Sequence, residues 1–384
     1  VENAPISIVP VESGADLKAF IDLPYRLYAE DSNWRPSLRF ERRAHLDPKK
    51  NPAAPSEGQR KLFLAYRAGK VVGRIAAFFN LSHLELYGDN TGFFGFFDCK
   101  DDKEIGDKLL KAAEDWLIEC EATRIVGPAQ WSVNDECGLL IDGFDTPNVM
   151  MMPHGRPYYR EMIETYGYQK STDMFAYQAD LNAGYSENRA VDMMCRIADR
   201  DESISIRPKR PGVYMDEVRL VMDIFNDAWS GNWGFVPFSD AQIEHMAKDI
   251  KPLVFSEGFW VGELDGEAVA FIWMVPDLNS AARGLNGKLW PIGWAKLLWR
   301  LKISGVKQAR IPLMGIRRKY HNTRKGLAIV AKLCDTVFKA GKEKGFSHCE
   351  LSWILEDNAG MIRIIEQATA NRYKTYRMYE KTID

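Results

Sequence analysis

Apolar and polar positions along this chain keep two rhythms, one of every second residue and one near 3.6, and the changes of rhythm outline strands and helices. In the N-terminal half, residues 6–11 read as a strand, 14–29 as a helix, and 63–67 and 71–79 as strands joined by the turn Ala68-Gly69-Lys70. A strand at 92–97, a helix at 102–121, a strand at 124–128, a helix at 157–166 and a strand ending near 179 follow. From residue 203 a similar order recurs: a strand at 204–208, helices at 215–229 and 239–250, and a hairpin of 258–263 and 268–275 around Asp265-Gly266. Then come a strand at 310–316, a helix at 326–344, a strand at 348–354, a helix at 359–369 and a last strand at 373–381.

One order of elements written twice, with a period too long for a solenoid, predicts a duplication. The expected organisation is an N-terminal domain at 1–181, a junction at 182–202 with a short amphipathic segment at 191–197, and a C-terminal domain at 203–384. The fold class is α/β (α+β), each half a mixed, mostly antiparallel sheet flanked by helices. A chain of 384 residues is long enough for two ordinary cores.

Charge and cysteine usage narrow the function classes. A formal net charge of −2 gives no global attraction to nucleic acid, so none is expected as a partner. The six cysteines form no C-x-x-C pair and read as free thiols in a reducing compartment, so a cytoplasmic location is expected. The first thirty residues lack the basic flank and apolar run of a secretory signal, and no apolar run is long enough to cross a bilayer. No cluster has metal-ligand spacing and no G-x-S-x-G elbow occurs, so no metal is expected.

The most informative segment is Arg310-Ile-Pro-Leu-Met-Gly-Ile-Arg-Arg-Lys-Tyr-His-Asn-Thr-Arg-Lys-Gly326-Leu-Ala328, a strand running into a basic loop that opens a long helix. Unpaired N–H groups at such a helix start carry partial positive charge and suit a pyrophosphate. Gly326 would permit close approach, and Arg317, Arg318, Lys319, Arg324 and Lys325 add positive charge. The plainer alternative is a solvated basic helix start. Further on, the strand Glu350-Leu-Ser-Trp-Ile-Leu-Glu-Asp-Asn358 ends in an Asn before a helix.

That combination resembles the GNAT acyltransferase superfamily, whose pyrophosphate loop reads Q/R-x-x-G-x-G/A and whose next strand ends in an Asn. Thr323-Arg-Lys-Gly326-Leu-Ala328 matches at Gly326 and Ala328 and departs at Thr323. The resemblance implies acyl-CoA as co-substrate, its pyrophosphate on Thr323, Arg324, Lys325, Gly326, Leu327 and Ala328. Pantetheine would follow Met314, Gly315 and Ile316, with Asn358 beside it. The Tyr that many GNAT enzymes use as general acid falls at Ile365, so that role is vacant or filled elsewhere. The matching turn of the first half, from Asp98 to Gly106, holds four carboxylates that would repel a pyrophosphate.

Amide formation needs a group to take a proton from the attacking amine, and Glu136 and His154 are the candidates; loop satisfaction for Glu136 and helix capping for His154 are the structural alternatives. Asn232 and Trp233 are expected as an acceptor wall, with aromatic core packing as the alternative, and Trp290 and Trp294 of the insertion described next are expected to bind the acceptor as well. Between Leu278 and Cys334 there is no Asp or Glu. An insertion at 283–307 in that stretch sets Trp290, Trp294, Leu297, Leu298 and Leu301 on one helical face beside Lys296, Arg300 and Lys302, as suits an anionic membrane surface. The alternative is a helix packed on the core with its tryptophans buried.

Longer stretches, including Phe20-Ile-Asp-Leu-Pro-Tyr-Arg-Leu-Tyr28, Phe94-Gly-Phe-Phe-Asp98, Leu140-Ile-Asp-Gly-Phe-Asp-Thr-Pro147, Arg156-Pro-Tyr-Tyr159 and Asn232-Trp-Gly-Phe235, resemble the bacterial YghO-like proteins over nearly the whole chain. That family includes bacterial ceramide synthases, so the resemblance implies transfer of a fatty acyl group from acyl-CoA to the amine of a sphingoid base such as 3-oxosphinganine; the basic, Trp-rich insertion independently suggests a lipid acceptor and peripheral contact with the cytoplasmic membrane face. N-acylation of a soluble amine and non-catalytic acyl-CoA sensing are the other readings left open.

Overall fold

The computed structural model describes residues 4–183, 188–367 and 370–383. Residues 184–187 of the expected junction and 368–369 of the expected helix at 359–369 lie outside the described residues. The chain divides into two units: Val1–Met174, Ala282–Leu289 and Lys374–Asp384 form the first, and Phe175–Ala281 and Trp290–Tyr373 the second.

In the first unit the strand order is Ile6–Pro10, Arg60–Arg67, Lys70–Phe78, Thr91–Cys99, Arg124–Gly127 and the end of Ala370–Thr382. Every neighbour pair is antiparallel except Thr91–Cys99 beside Arg124–Gly127. That parallel step needs a crossover, and the helix Lys103–Glu119 supplies it, laying Ile105, Leu109, Leu110, Ala113 and Leu117 into the core. Its N-terminus is closed by Asp102, which accepts the Glu104 N–H at 3.0 Å and pairs with Arg67 at 2.6 Å.

The second unit repeats the plan with Ile204–Pro208, Phe259–Leu264, Glu267–Pro276, Gln308–Ile316 and His348–Leu355, the last pair parallel and joined by the helix Arg324–Glu343. Asp265 and Gly266, both at positive φ, make the tight turn that the Asp-Gly pair predicts. Inside the expected junction, Arg189–Arg200 is a helix capped by Asn188, longer than the amphipathic segment expected at 191–197.

Candidate active site

Parallel pairing between Gln308–Ile316 and His348–Leu355 runs only from Gln308 opposite His348 to Ile311 opposite Leu351. The next residue, Pro312, has no N–H to offer the ladder. Along the strand's other edge Trp273 faces Leu313 while Val275 faces Arg310, so Ile311 and Pro312 bulge opposite the single Met274. Where the ladder stops, a cavity of about 360 Å³ opens, lined by Met314, Gly315 and Ile316 from one strand and Ser352 to Leu355 from the other. Met361, Ile364 and Ile365 from the helix Ala359–Gln367 form a further wall. The volume lies in the range of small-molecule sites, and the lining is mostly apolar with a few polar groups: Asn232, His321, Ser352, Asp357 and Asn358.

Local contacts fix this wall. The Trp229 indole N–H donates to the Met314 carbonyl at 3.1 Å, and its ring meets Trp353 edge-on at 5.3 Å. Asn358 caps the following helix, its side chain accepting the Met361 N–H at 3.2 Å. Behind Ser352 lies fully buried Glu350, which accepts hydrogen bonds from the Ser352 and Tyr373 hydroxyls. Buried Arg310, the register partner of Glu350, donates to the Ser352 carbonyl at 3.2 Å. This hydroxyl–carboxylate pair was not among the sequence-derived candidates. Its one sequence signal is a charge in the middle of an apolar strand.

The expected pyrophosphate cradle falls at the start of Arg324–Glu343. Thr323 is the N-cap, its Oγ1 accepting the Gly326 N–H at 3.0 Å, while the N–H groups of Arg324 and Lys325 have no intrahelical partner. A neutral hydroxyl therefore stands here where the first unit has a carboxylate. A Cβ on Gly326 would lie 2.2 Å from the Tyr320 carbonyl, so the loop's own backbone already requires glycine there. His321 Nε2 lies 2.9 Å from the Ile316 carbonyl and ties the loop to its strand.

Most of the expected positive charge is already engaged. Arg317 pairs with Asp223 at 2.7 Å, Lys319 with Glu267 at 3.1 Å and Lys325 with Asp201 at 3.3 Å. Arg318 donates its N–H to Asp227 and its guanidinium to Ser230. Among the described residues, Arg324 alone of these cations has no such partner. Leu327 is exposed and Ala328 buried under the helix.

The remaining expected residues fall in several places. Asn232 is on the cavity wall, whereas Trp233, Trp290 and Trp294 are not among its lining residues. Trp290 and Trp294 are exposed. Glu136 and His154 belong to the first unit. Glu136 is held by Arg42 at 2.8 Å and Gln130 at 3.0 Å. The His154 ring, its side chain 2% exposed, lies 2.9 Å from Asp31 through Nε2, with Nδ1 buried and unpartnered. It does not cap the helix Tyr158–Tyr166, whose N-cap is Pro157. Burial holds the imidazole below its ordinary pKa, outweighing the Asp31 hydrogen bond. Burial would raise the Asp31 carboxyl, but hydrogen bonds from His154 and the Asn33 N–H, with Arg156, hold it below the usual value. Among the described residues, no group of three or more His, Cys, Asp or Glu is placed to hold a metal ion, and no helix is long and apolar enough to cross a membrane.

In the first unit the corresponding strands also part, after Phe93 opposite Val126. There the space is taken by the chain itself: a Cβ on Gly95 would lie 1.6 Å from the Ala129 carbonyl oxygen.

No protein-family model matches the sequence. Among solved structures, a GCN5-related N-acetyltransferase from Sphaerobacter thermophilus is similar at a TM-score of 0.57 and 13% identity, covering 99% of this chain and 97% of that one. A tandem GNAT protein from the clavulanic acid biosynthesis pathway is similar at 0.56 and 13%, covering 98% of each. The duplicated fold is therefore tandem GNAT. The "Bacterial ceramide synthase" of Caulobacter vibrioides (strain NA1000 / CB15N) is 40% identical over 388 residues, 99% of this chain and 98% of that protein. Protein YghO of Escherichia coli (strain K12) is 41% identical over 371 residues, 96% of this chain and 93% of that protein. This chain belongs to the acyltransferase family of the bacterial ceramide synthase and YghO, on the tandem GNAT fold.

Proposed function

We propose that this protein transfers a long-chain acyl group from acyl-CoA to the amino group of a sphingoid base such as 3-oxosphinganine. The observation that carries this reading is similarity over nearly its full length to a protein named for ceramide synthesis. The cavity of the second unit supports it. Apolar walls and a helix start with two unmatched N–H groups suit the two ends of a thioester of CoA. In this reading the pyrophosphate rests on residues 323–328 with Arg324 as its cation, and pantetheine follows Met314, Gly315 and Ile316 past Asn358. Asn232 faces the acceptor.

The amine nitrogen attacks the thioester carbonyl, the C–S bond breaks, and an amide and a CoA thiolate result. One proton must leave the nitrogen and one must reach the sulfur. Ser352, on the wall with Glu350 behind it, is suited to carry the first. Glu136 and His154, each already held by a partner in the first unit, are less suited. Both substrates being amphiphilic, we also propose peripheral contact with a membrane face.

Purified protein given palmitoyl-CoA, with and without a sphingoid base, tests the reading by thiol release and mass spectrometry. Base-dependent release with an N-acyl lipid product is expected. Release with soluble amines alone, or CoA binding without turnover, would overturn it.

A further inference from the structure

We propose that the exposed surface from Trp290 to Ile303 is a docking surface for an anionic lipid bilayer. Trp290, Ile292, Trp294, Leu298, Trp299 and Ile303 are each between 48% and 83% exposed. They make up six of the fifteen large hydrophobic residues exposed among the described residues, so they form a patch rather than the ordinary scatter of single apolar side chains. The short helix Gly293–Trp299 buries Gly293 and Leu297, and its C-cap Arg300 donates to the Ala281 carbonyl at 2.8 Å, while Trp294, Leu298 and Trp299 stay exposed. The Trp294 N–H donates to the Pro291 carbonyl at 3.1 Å, so that ring turns outward with its polar atom already satisfied.

Charge decides the occupant. No Asp or Glu occurs between Leu278 and Cys334, and Lys296, Arg300 and Lys302 accompany the patch. A second copy of the chain in a two-fold contact would bring those cations against themselves, an arrangement that like-charge repulsion opposes. An anionic surface accepts the cations, and its interfacial region accepts the tryptophans. The inference deepens the lipid-acceptor reading by naming the surface that would meet the substrate's membrane, and it rests on that reading only for what the membrane delivers.

The test is co-sedimentation with vesicles of phosphatidylcholine alone and of phosphatidylcholine and phosphatidylglycerol in equal parts. Binding to the mixed vesicles is expected, weakening as salt is raised. The combined variant Trp290→Ser, Trp294→Ser, Trp299→Ser should lose about tenfold or more. Lys296→Glu with Lys302→Glu should lose about tenfold on mixed vesicles only. All five positions are exposed, so the variants should melt as the parent does and bind acyl-CoA unchanged. No binding by the parent, equal binding by the tryptophan variant, or a dimer that this variant dissociates without any vesicle binding would each overturn the proposal. Turnover of the amine in detergent micelles is scored separately. Vesicle binding without turnover would sink the lipid-acceptor reading and leave the surface standing, and turnover without vesicle binding the reverse.

Discussion

Where two strands part, Ser352 lines the cavity and donates its hydroxyl to buried Glu350. If Ser352 carries the amine proton, Ser352→Ala should lower kcat about a hundredfold while the KM for acyl-CoA holds, read by steady-state thiol release. A purely structural serine would leave kcat near the parent value. Glu350→Ala should do more: it strips two hydroxyls of their acceptor and leaves buried Arg310 without its neighbouring carboxylate, costing about 3 kcal/mol in a urea melt. The His154–Asp31 pair carries a pH prediction. The folded imidazole titrates below its unfolded value, so in the window between the two values the unfolded chain binds the proton and the folded chain does not. Stability should therefore fall as pH drops below about 6.5, the ordinary histidine value. Asp31, also depressed, adds its own loss at lower pH, as the carboxylate protonates through its folded value. In His154→Gln the decline in urea midpoints between pH 5 and 7 should shrink to the part that His83, also held low by burial, contributes; an unchanged profile would assign the decline to His83 alone.

At the scale of elements, the strand Gln308–Ile316 and the helix Arg324–Glu343 make the candidate site, and their sequence explains its shape. Pro312 ends the parallel ladder, Thr323 caps the helix, and Gly326 lets the Tyr320 carbonyl lie against it. Gly326→Ala should thus weaken acyl-CoA binding by displacing the loop, so it reports on loop geometry rather than on direct contact with phosphate. Arg324→Glu is the cleaner probe. This cation has no partner to lose, so acyl-CoA affinity measured by titration calorimetry should fall about tenfold or more with no change in melting. Lys319→Glu, which breaks a pair with Glu267, should cost less affinity. Equal losses would show that the helix start reads net charge and not position. The hairpins, both crossover helices and the start of the helix Arg324–Glu343 were legible because each has a periodic apolar face or a turn residue that only one conformation accommodates. The helix Arg39–His45 buries no residue, and Leu81–Tyr87 buries only His83, so neither leaves a periodic trace. The ion pairs that occupy Arg317, Lys319 and Lys325 join residues far apart in sequence, beyond the reach of any local pattern. Trp290 and Trp294 show the same limit from the other side: an amphipathic stretch has an apolar face, but periodicity does not say whether core or solvent receives it.

At the scale of the whole molecule, the duplication is one of plan and not of chemistry. Both units carry the parallel step across a long helix, but the first caps that helix with Asp102 and sets the Ala129 carbonyl against Gly95, whereas the second leaves N–H groups free and a cavity open. A carboxylate cap and a filled cleft both oppose a pyrophosphate and a pantetheine arm, so acyl-CoA should bind with a stoichiometry of one. The units are also not separable by cutting the chain once. The strand Ala370–Thr382 begins in the second unit and ends in the first, where it pairs with Arg124–Gly127 and Leu139–Asp142. Its Tyr376, Met378 and Tyr379 are fully buried there, and Arg377 pairs with Asp173 at 2.7 Å. Burying three such side chains is worth roughly 5–8 kcal/mol, comparable to the whole stability of an ordinary domain. Truncation after Tyr373 should therefore remove cooperative folding from the first unit while the second, which keeps all its strands, persists. Hydrogen exchange would read this directly. Amides of Arg60–Arg67 and Thr91–Cys99 should lose protection, and those of Glu267–Pro276 and His348–Leu355 should keep it. Retained protection in the first set would mean that the N-terminal half closes its own sheet, and that the last strand is an addition to a fold already complete.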